Sequence, residues 1–357
     1  MVEVIKIGML SSLMLIITLI ITPFIIKLSL KIDATDKPNF RKVHTDPIPT
    51  LGGLAIFCSF LIGLLILQPA SKYHLSIICG ATVILVLGVL DDLYNLSAKL
   101  KFGIQIIAAM LVVFWGGLQV EFINLPFGGQ VEFGLLSSLV TILWIVGVTN
   151  AINLIDGLDG LAAGVSSIAL LTIAGMAVIM GNVYVATLAL ILFFSTVGFL
   201  RYNFYPARIF MGDTGALFLG FMISVLALLG FKHVALISFI IPIFILGVPI
   251  SDTLIAIVRR YINKQPISSP DSSHLHHRLV KFGFSHKQTV LFIYALGGMF
   301  SLAAILFSMT TIWGSVAIFV ISICVLLFLI ESLELINSEF KPLTNFVRGL
   351  RHRYKNT

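Results

Sequence analysis

Residues 160–200 and 288–330 each run without a single Asp, Glu, Lys or Arg. Runs of that length dominate what the chain can become. About 20 mostly apolar residues cross a bilayer, so each run holds two crossings joined by a turn. Turn signals sit where such joints are needed, at Gly181-Asn182 in the first run and near Thr310 in the second. Seven shorter charge-poor stretches are of single-span length: 7–28 (with Lys27 near its end), 51–71, 73–90, 102–120, 133–155, 214–231 and 233–251. Together they predict an all-α polytopic membrane protein with about eleven transmembrane helices. The composition agrees, since 58% of residues are hydrophobic against 11% charged, and a mean hydropathy of +1.07 excludes a soluble globular domain.

The basic residues orient the chain. Of 23 Lys and Arg, 20 are Lys27 or fall in 31–50, 91–101, 201–213, 259–287 and 336–357, which leaves Lys6, Lys72 and Lys232 for the other side. The positive-inside rule then predicts an outside N-terminus and a cytoplasmic C-terminus. The first span has no basic n-region and no small-residue cleavage site, so it reads as a retained helix. The expected organisation is one transmembrane helical domain over 1–335, with an active site in cytoplasmic loops 31–50, 91–101, 150–160, 201–214 and 259–287. A basic cytoplasmic tail, 336–357, follows. The net charge of +7 belongs to that face, where it sets orientation and attracts anionic membrane lipids. With no soluble domain to carry it, no nucleic acid is expected as a partner. Cys58, Cys79 and Cys324 fall within predicted spans and lack metal-like spacing.

The acidic residues carry more information. Asp91, Asp92, Asp156, Asp159, Asp213 and Asp252 all fall at or near predicted cytoplasmic helix ends. A carboxylate near hydrocarbon costs a few kcal/mol, which marks it as a functional candidate. The bland alternative is helix capping, at which Asp is good. Several carboxylates on one side of a membrane repel unless a cation sits among them. Oxygen ligands suit Mg²⁺, with Mn²⁺ as a substitute, and Mg²⁺ typically joins one or two carboxylates to substrate phosphates.

Five stretches stand in order along the cytoplasmic side: "KPNFRKVHTDPIPTLGG" (37–53), "VLDDLYNLSAKLK" (89–101), "NAINLIDGLDGLAAG" (150–164), "RIFMGDTGALFLG" (208–220) and "SSPDSSHLHHRL" (268–279). This set closely resembles the polyprenyl-phosphate N-acetylhexosamine-1-phosphate transferases, over nearly the whole chain. The resemblance implies transfer of a sugar 1-phosphate from a UDP-sugar to a polyprenyl phosphate at the cytoplasmic leaflet of the bacterial cell membrane, with release of UMP and a need for Mg²⁺. It places Asp91, Asp92, Lys99, Asp156 and Asp213 in the catalytic set, with Asp213 and Asn153 toward the metal. Asn150, Asn153, Gly157, Leu158, Asp159, Phe210, His274, His276, His277 and Arg278 become substrate-binding residues, Phe210 as a stacking surface for uracil. Lys99 is the lysine expected on a substrate phosphate, and Lys101 an ordinary basic flank. Whether an aspartate of the pair removes a proton, organises charge or forms a covalent aspartyl phosphate stays open.

The residues permit plainer readings beside these. Asn150, Asn153 and Asp156 recur every three positions, so a continued helix aligns them on one face. Gly157, Gly160 and Gly164 also suit close helix packing. Three histidines in "HLHHRL" raise a zinc site, which needs further Cys, His or carboxylate ligands. Phosphate substrates explain a His/Arg cluster without one. Pro242 and Pro249 predict a ninth span broken in two, with Asp252 expected as a structural pair to a neighbouring helix. Arg41, Lys42 and His44 read equally as headgroup contacts or as a basic flank.

Two other classes compete. A secondary transporter also uses intramembrane carboxylates, but these usually lie near the midplane and in repeated halves, and no repeat is found here. A CDP-alcohol phosphotransferase needs an arginine after the alanines of "DGLDGLAAG", and none is present. Within the resembling family, the branch using UDP-N-acetylmuramoyl-pentapeptide carries a three-histidine run ending in an acidic residue. "HLHHRL" instead resembles the users of UDP-N-acetylglucosamine (UDP-GlcNAc) that start teichoic acid or O-antigen-type polymers, teichoic acid being preferred. The implied partners are UDP-GlcNAc, undecaprenyl phosphate and membrane lipids, with a homodimer as the candidate assembly.

Overall fold

The computed structural model describes residues 2–36, 47–124, 129–231, 239–266, 271, 273–336, 340–342 and 344–345. Arg41, Lys42, His44 and most of the basic tail lie outside them. Thirteen α-helices follow one another among the described residues: α1 (Val2–Lys31), α2 (Gly52–Leu67), α3 (His74–Tyr94), α4 (Ala98–Met110), α5 (Ser137–Ile155), α6 (Leu161–Ile179), α7 (Val183–Asn203), α8 (Gly212–Phe231), α9 (Ile240–Ile245), α10 (Gly247–Ile262), α11 (Leu275–Lys281), α12 (His286–Met309) and α13 (Ile312–Ser332). Five π-helical residues, Leu111–Trp115, prolong α4. Two small antiparallel ribbons, β1 (Thr35–Asp36) with β2 (Ile48–Pro49) and β3 (Phe122–Asn124) with β4 (Gln130–Glu132), and a short 3-10 helix, Gly134–Leu136, complete the set among the described residues.

Nine helices among the described residues are long and apolar enough to cross a membrane. The sixteen residues of α2 fall just short of that length. Both double-length runs divide where the turn signals stood. Gly181 takes φ +72 and Asn182 caps α7 through its side-chain oxygen, 3.2 Å from Val185 N. Thr310 and Thr311 separate α12 from α13.

The ninth predicted span is two helices, with Leu246 as the joint. The prolines do not themselves sit at the break. Pro242 and Pro249 are each the third residue of their helix, where a missing N–H costs nothing because the first-turn donors have no intrahelical partner. Asp252 therefore belongs to the second piece, α10.

The core gathers around α8. This helix is apolar all round, and 94% of its span window is buried, against 11% for α13 at the periphery. Glycines let the neighbours approach: a Cβ at Gly53 would lie 2.2 Å from Gly215 N, one at Gly88 2.4 Å from Thr214 Cα, and one at Gly220 2.8 Å from Thr149 Cα. Three helices, α2, α3 and α5, thus close on α8 through backbone contact. Buried hydroxyls such as Thr18, Thr149 and Thr196 donate to carbonyls four residues back, as polar groups away from water require.

Candidate active site

The α3 helix ends because Asn95 adopts a left-handed conformation, φ 52, and its N–H returns to the Asp91 carbonyl. Leu96 N donates to Asp91 Oδ1 at 2.7 Å, so the buried Asp91 side chain holds the turn that follows its own helix. Ser97 then caps α4. The helical phase set by that cap swings Lys101 back, placing its Nζ 2.6 Å from Asp91 Oδ2 and 3.1 Å from Asp213 Oδ2. Lys99, two residues earlier and so on another face, is exposed. Lys101, read from the sequence as a basic flank, thus joins the aspartates, while Lys99, the lysine expected on a substrate phosphate, lies outside that pairing.

Asp92 does something different from its neighbour. Its Oδ1 accepts from Asp213 N at 2.9 Å, and its Oδ2 from Thr214 N at 3.1 Å and Thr214 Oγ1 at 2.6 Å. These N–H groups belong to the first turn of α8, so Asp92 caps a helix other than its own. Gly212, at φ +68, makes the approach possible, because a Cβ there would lie 2.4 Å from Asp92 Oδ2. Phe210, half-buried, is fixed through its backbone, donating to Pro49 O and accepting from Gly52 N.

The polar stripe expected along 150–156 does not form. Asn150 donates to Gln105 Oε1 at 2.6 Å and to Val146 O at 2.8 Å, so its amide is spent on α4 and its own helix. Helix α5 stops at Ile155, and Asp156 is its non-helical C-cap, φ −78, ψ 59. Asn153 is half-buried, and its side chain makes no hydrogen bond among the described residues. Burial pushes the Asp156 carboxyl up to about 8, with the charges of Asp213, Asp92 and Asp159 adding to it. Asp159 Oδ2 accepts from Ala207 N at 2.9 Å, tying the turn to the loop after α7. Leu158 packs against the core. Gly160, φ +78, begins α6 and accepts from Tyr294 Oη at 2.5 Å.

The histidine segment joins this group through Gly157. A Cβ at Gly157 would lie 2.3 Å from His276 Nε2, so only glycine allows the imidazole to lie against that turn. His276 is buried, and both its ring nitrogens lack hydrogen-bond partners among the described residues. Burial pulls its pKa down to about 3, with His277 next in effect, and leaves the ring neutral. Burial also lowers His277, aided by His274 and Lys281. The Arg278 Nε and His286 Nε2 atoms are likewise buried without partners among the described residues. His274 is held by α10: its Nδ1 is 2.8 Å from Asp252 Oδ2, while Asp252 Oδ1 accepts from Leu275 N at 2.8 Å. Asp252 is thus the structural pair expected of it, and His274 is part of the α11 anchor.

Asp91 and Asp213 therefore share one ammonium group, Lys101, Asp92 holds the backbone of Asp213, and Asp156 lies near enough to feel the charges of Asp213 and Asp92. Such an anionic excess suits a divalent cation. Among the described residues no three His, Cys, Asp or Glu side chains form a ready ligand cage. Lys101, Thr214 and Gln105 went unassigned or misassigned in the sequence. Only Lys101 left a usable trace, the Ser97 cap that fixes the phase of α4.

Comparison with known proteins extends the match from motifs to the whole chain. The model of glycosyl transferase family 4 matches residues 74–231, which hold Asp91, Asp92, Asn153, Asp156 and Asp213. A Bacillus subtilis protein named "Probable undecaprenyl-phosphate N-acetylglucosaminyl 1-phosphate transferase" is 50% identical over 342 residues, 95% of each chain. A Mycobacterium leprae decaprenyl-phosphate N-acetylglucosaminephosphotransferase is 33% identical over 81% of this chain and 80% of its own. An undecaprenyl-phosphate alpha-N-acetylglucosaminyl 1-phosphate transferase of Salmonella typhi is 30% identical over 75% of this chain and 74% of its own. With half its residues identical to one such relative across nearly the full length of both, the chain belongs to the polyprenyl-phosphate N-acetylhexosamine-1-phosphate transferases of glycosyl transferase family 4.

Proposed function

We propose that the chain transfers N-acetylglucosamine 1-phosphate from UDP-GlcNAc to undecaprenyl phosphate, releasing UMP. The observation that carries this reading is Lys101 held between Asp91 and Asp213 at the meeting of α3, α4 and α8, in a chain half identical to a relative named for that transfer. An oxygen of the lipid phosphate attacks the sugar-bearing phosphorus, the bond from that phosphorus to UMP breaks, and UMP leaves with the electron pair. Such transfers depend mainly on in-line positioning and charge neutralisation.

The chain's own groups divide that work. Lys101 offers a fixed positive charge to a substrate phosphate, and Asp91 aims it. Asp92 holds the first turn of α8, and with it Asp213. Neither aspartate of the pair is well placed as a base, since both carboxylates are already engaged by donors. Little base help is needed, because a phosphate monoester with second pKa near 6 is mostly dianionic at neutral pH. Asp213 and Asn153 would hold Mg²⁺, which supplies further neutralisation of phosphate charge when bound. Partnerless His276 nitrogens and Arg278 Nε offer hydrogen bonds to the donor diphosphate.

The remaining assignments rest on sequence. Placing 20 of 23 basic residues on one side supports a cytoplasmic active site in a bacterial cell membrane, an outside N-terminus and eleven spans. "HLHHRL" supports UDP-GlcNAc over the muramoyl-pentapeptide donor, and teichoic acid as the polymer begun.

Incubating purified protein with undecaprenyl phosphate and radiolabelled UDP-GlcNAc or UDP-N-acetylmuramoyl-pentapeptide, with and without Mg²⁺, tests the reading. UMP and labelled lipid are expected only with UDP-GlcNAc and Mg²⁺. Their absence with UDP-GlcNAc defeats it.

A further inference from the structure

Helix α10 carries two buried charged side chains on one face, Asp252 and Arg259, seven residues apart, and both grip the segment that leads into α11. Asp252 takes its far end through His274 Nδ1 and Leu275 N, each at 2.8 Å. Arg259 takes its near end: Nη2 and Nε reach Asp271 Oδ2 at 2.5 and 3.2 Å. Arg260 Nε is 3.8 Å from the same oxygen. The other carboxylate oxygen accepts from Ser273 N at 2.8 Å. Burial alone would raise the Asp271 carboxyl, but the hydrogen bonds from Arg259 and Ser273 N overcome it and hold it below the usual carboxylate range. Arg259 Nη1 meanwhile donates to the Leu335 carbonyl, just past the end of α13. One guanidinium thus ties α10, the approach to α11 and the exit from α13.

The pinned segment matters because α11 is only seven residues long and cannot hold its own orientation. His276, its second residue, lies against Gly157 with ring nitrogens that have no hydrogen-bond partner among the described residues. Fixing those nitrogens requires that the chain entering α11 be fixed first.

We infer that Arg259 is a positioning residue for donor recognition: through Asp271 it sets the segment that presents His276 and Arg278 to the UDP-sugar, while touching no substrate itself. This rests on the donor role proposed for those two side chains. The planar guanidinium serves several acceptors at once, which a lysine ammonium on the same stem cannot reproduce.

The test compares Arg259→Lys, Arg259→Gln, Asp271→Asn and the Arg259→Gln/Asp271→Asn double variant, in detergent-solubilised full-length protein. Each single variant should raise KM for UDP-GlcNAc about tenfold with KM for undecaprenyl phosphate unchanged. Arg259→Lys should be the mildest. The double variant should be no worse than the worse single one, as expected for partners in one contact. Parallel rises in both KM values, a fall in kcat with KM unchanged, or wild-type donor KM throughout would overturn the inference. Should Arg259→Gln fail to fold, Asp271→Asn and Arg259→Lys still decide it. Amide hydrogen exchange separates this inference from the proposed reaction. Faster exchange at 273–281 in Asp271→Asn, with α3 and α8 unchanged, supports the latch even in a protein that releases no UMP. Unchanged exchange there overturns it.

Discussion

Asp92 caps the helix that carries Asp213, accepting its backbone N–H at 2.9 Å. Two adjacent carboxylates that look equivalent at the end of α3 thereby have unequal tasks. Asp91 turns to Lys101, and Asp92 turns to the first turn of α8.

Removing that cap should loosen α8 before it touches chemistry. Asp92→Ala leaves the N–H groups of Asp213 and Thr214 and the Thr214 hydroxyl without their acceptor, at a cost of about 1–2 kcal/mol. Asp92→Asn, which keeps one acceptor oxygen, should lose less. Thermal unfolding in detergent reads the order wild type, Asn, Ala. An Asp92→Ala protein melting with wild type would remove the capping role.

The two lysines should separate cleanly. Lys101→Met is expected to lower UMP release by about 100-fold, or ~2.7 kcal/mol of barrier. Lys99→Met, which alters an exposed side chain, should stay within about threefold. Equal losses would mean that the pairing with Asp91 and Asp213 has no part in turnover.

Asp213→Asn should abolish labelled-lipid formation while the protein still inserts and folds. It should also erase any rise in melting temperature that Mg²⁺ gives wild type, since binding to the native state stabilises it. Retention of near-full activity, or of the Mg²⁺ shift, would withdraw Asp213 from the metal.

Gly88→Ala places a methyl 2.4 Å from Thr214 Cα, whose backbone cannot yield cheaply. Forcing α3 from α8 should cost about 1–3 kcal/mol and reduce activity with it. Gly8→Ala in α1, with nothing within 4 Å of the new carbon, is the matched control and should be neutral or slightly stabilising.

His276 gives a pH signature. Its folded pKa of about 3 lies below the ordinary 6.5, so between those values the unfolded chain binds a proton that the folded one refuses. That contribution to stability is complete above pH 6.5 and is lost as pH falls toward 3. Asp156, raised to about 8, acts in the opposite sense across much of that range. The comparison that isolates the histidine is therefore His276→Gln against wild type. The difference in melting temperature between them should shift in favour of the variant as pH drops from 7 to 5. A constant difference would show that His276 does not titrate in this environment.

Much of the architecture was legible because hydrophobic length is a local property. The joints at Gly181-Asn182 and Thr310 were readable for the same reason: a turn needs particular residues at a particular place. The break in the ninth span was readable from its prolines, yet its position was not. Pro242 and Pro249 both occupy first turns, and the joint falls on Leu246, which carries no breaking signal of its own. The motifs pointed to carboxylates that the fold does bring together at 91, 92 and 213. Helical spacing misled at Asn150, because whether an amide faces a site or a neighbour depends on what the neighbour offers, here Gln105.

The amino-acid order by itself determined that this chain is built from long apolar helices, with carboxylates and basic groups gathered near their ends. Burial of apolar length and the demands of turn geometry require nothing distant. Which lysine meets the carboxylates, which aspartate is spent on a cap, and how Arg259 fixes the histidine segment were decided only in three dimensions. A hydrogen bond chooses among side chains by ångströms between helices, and residues such as Lys101 and Asp213, far apart along the chain, come within 3.1 Å only once α3, α4 and α8 have packed.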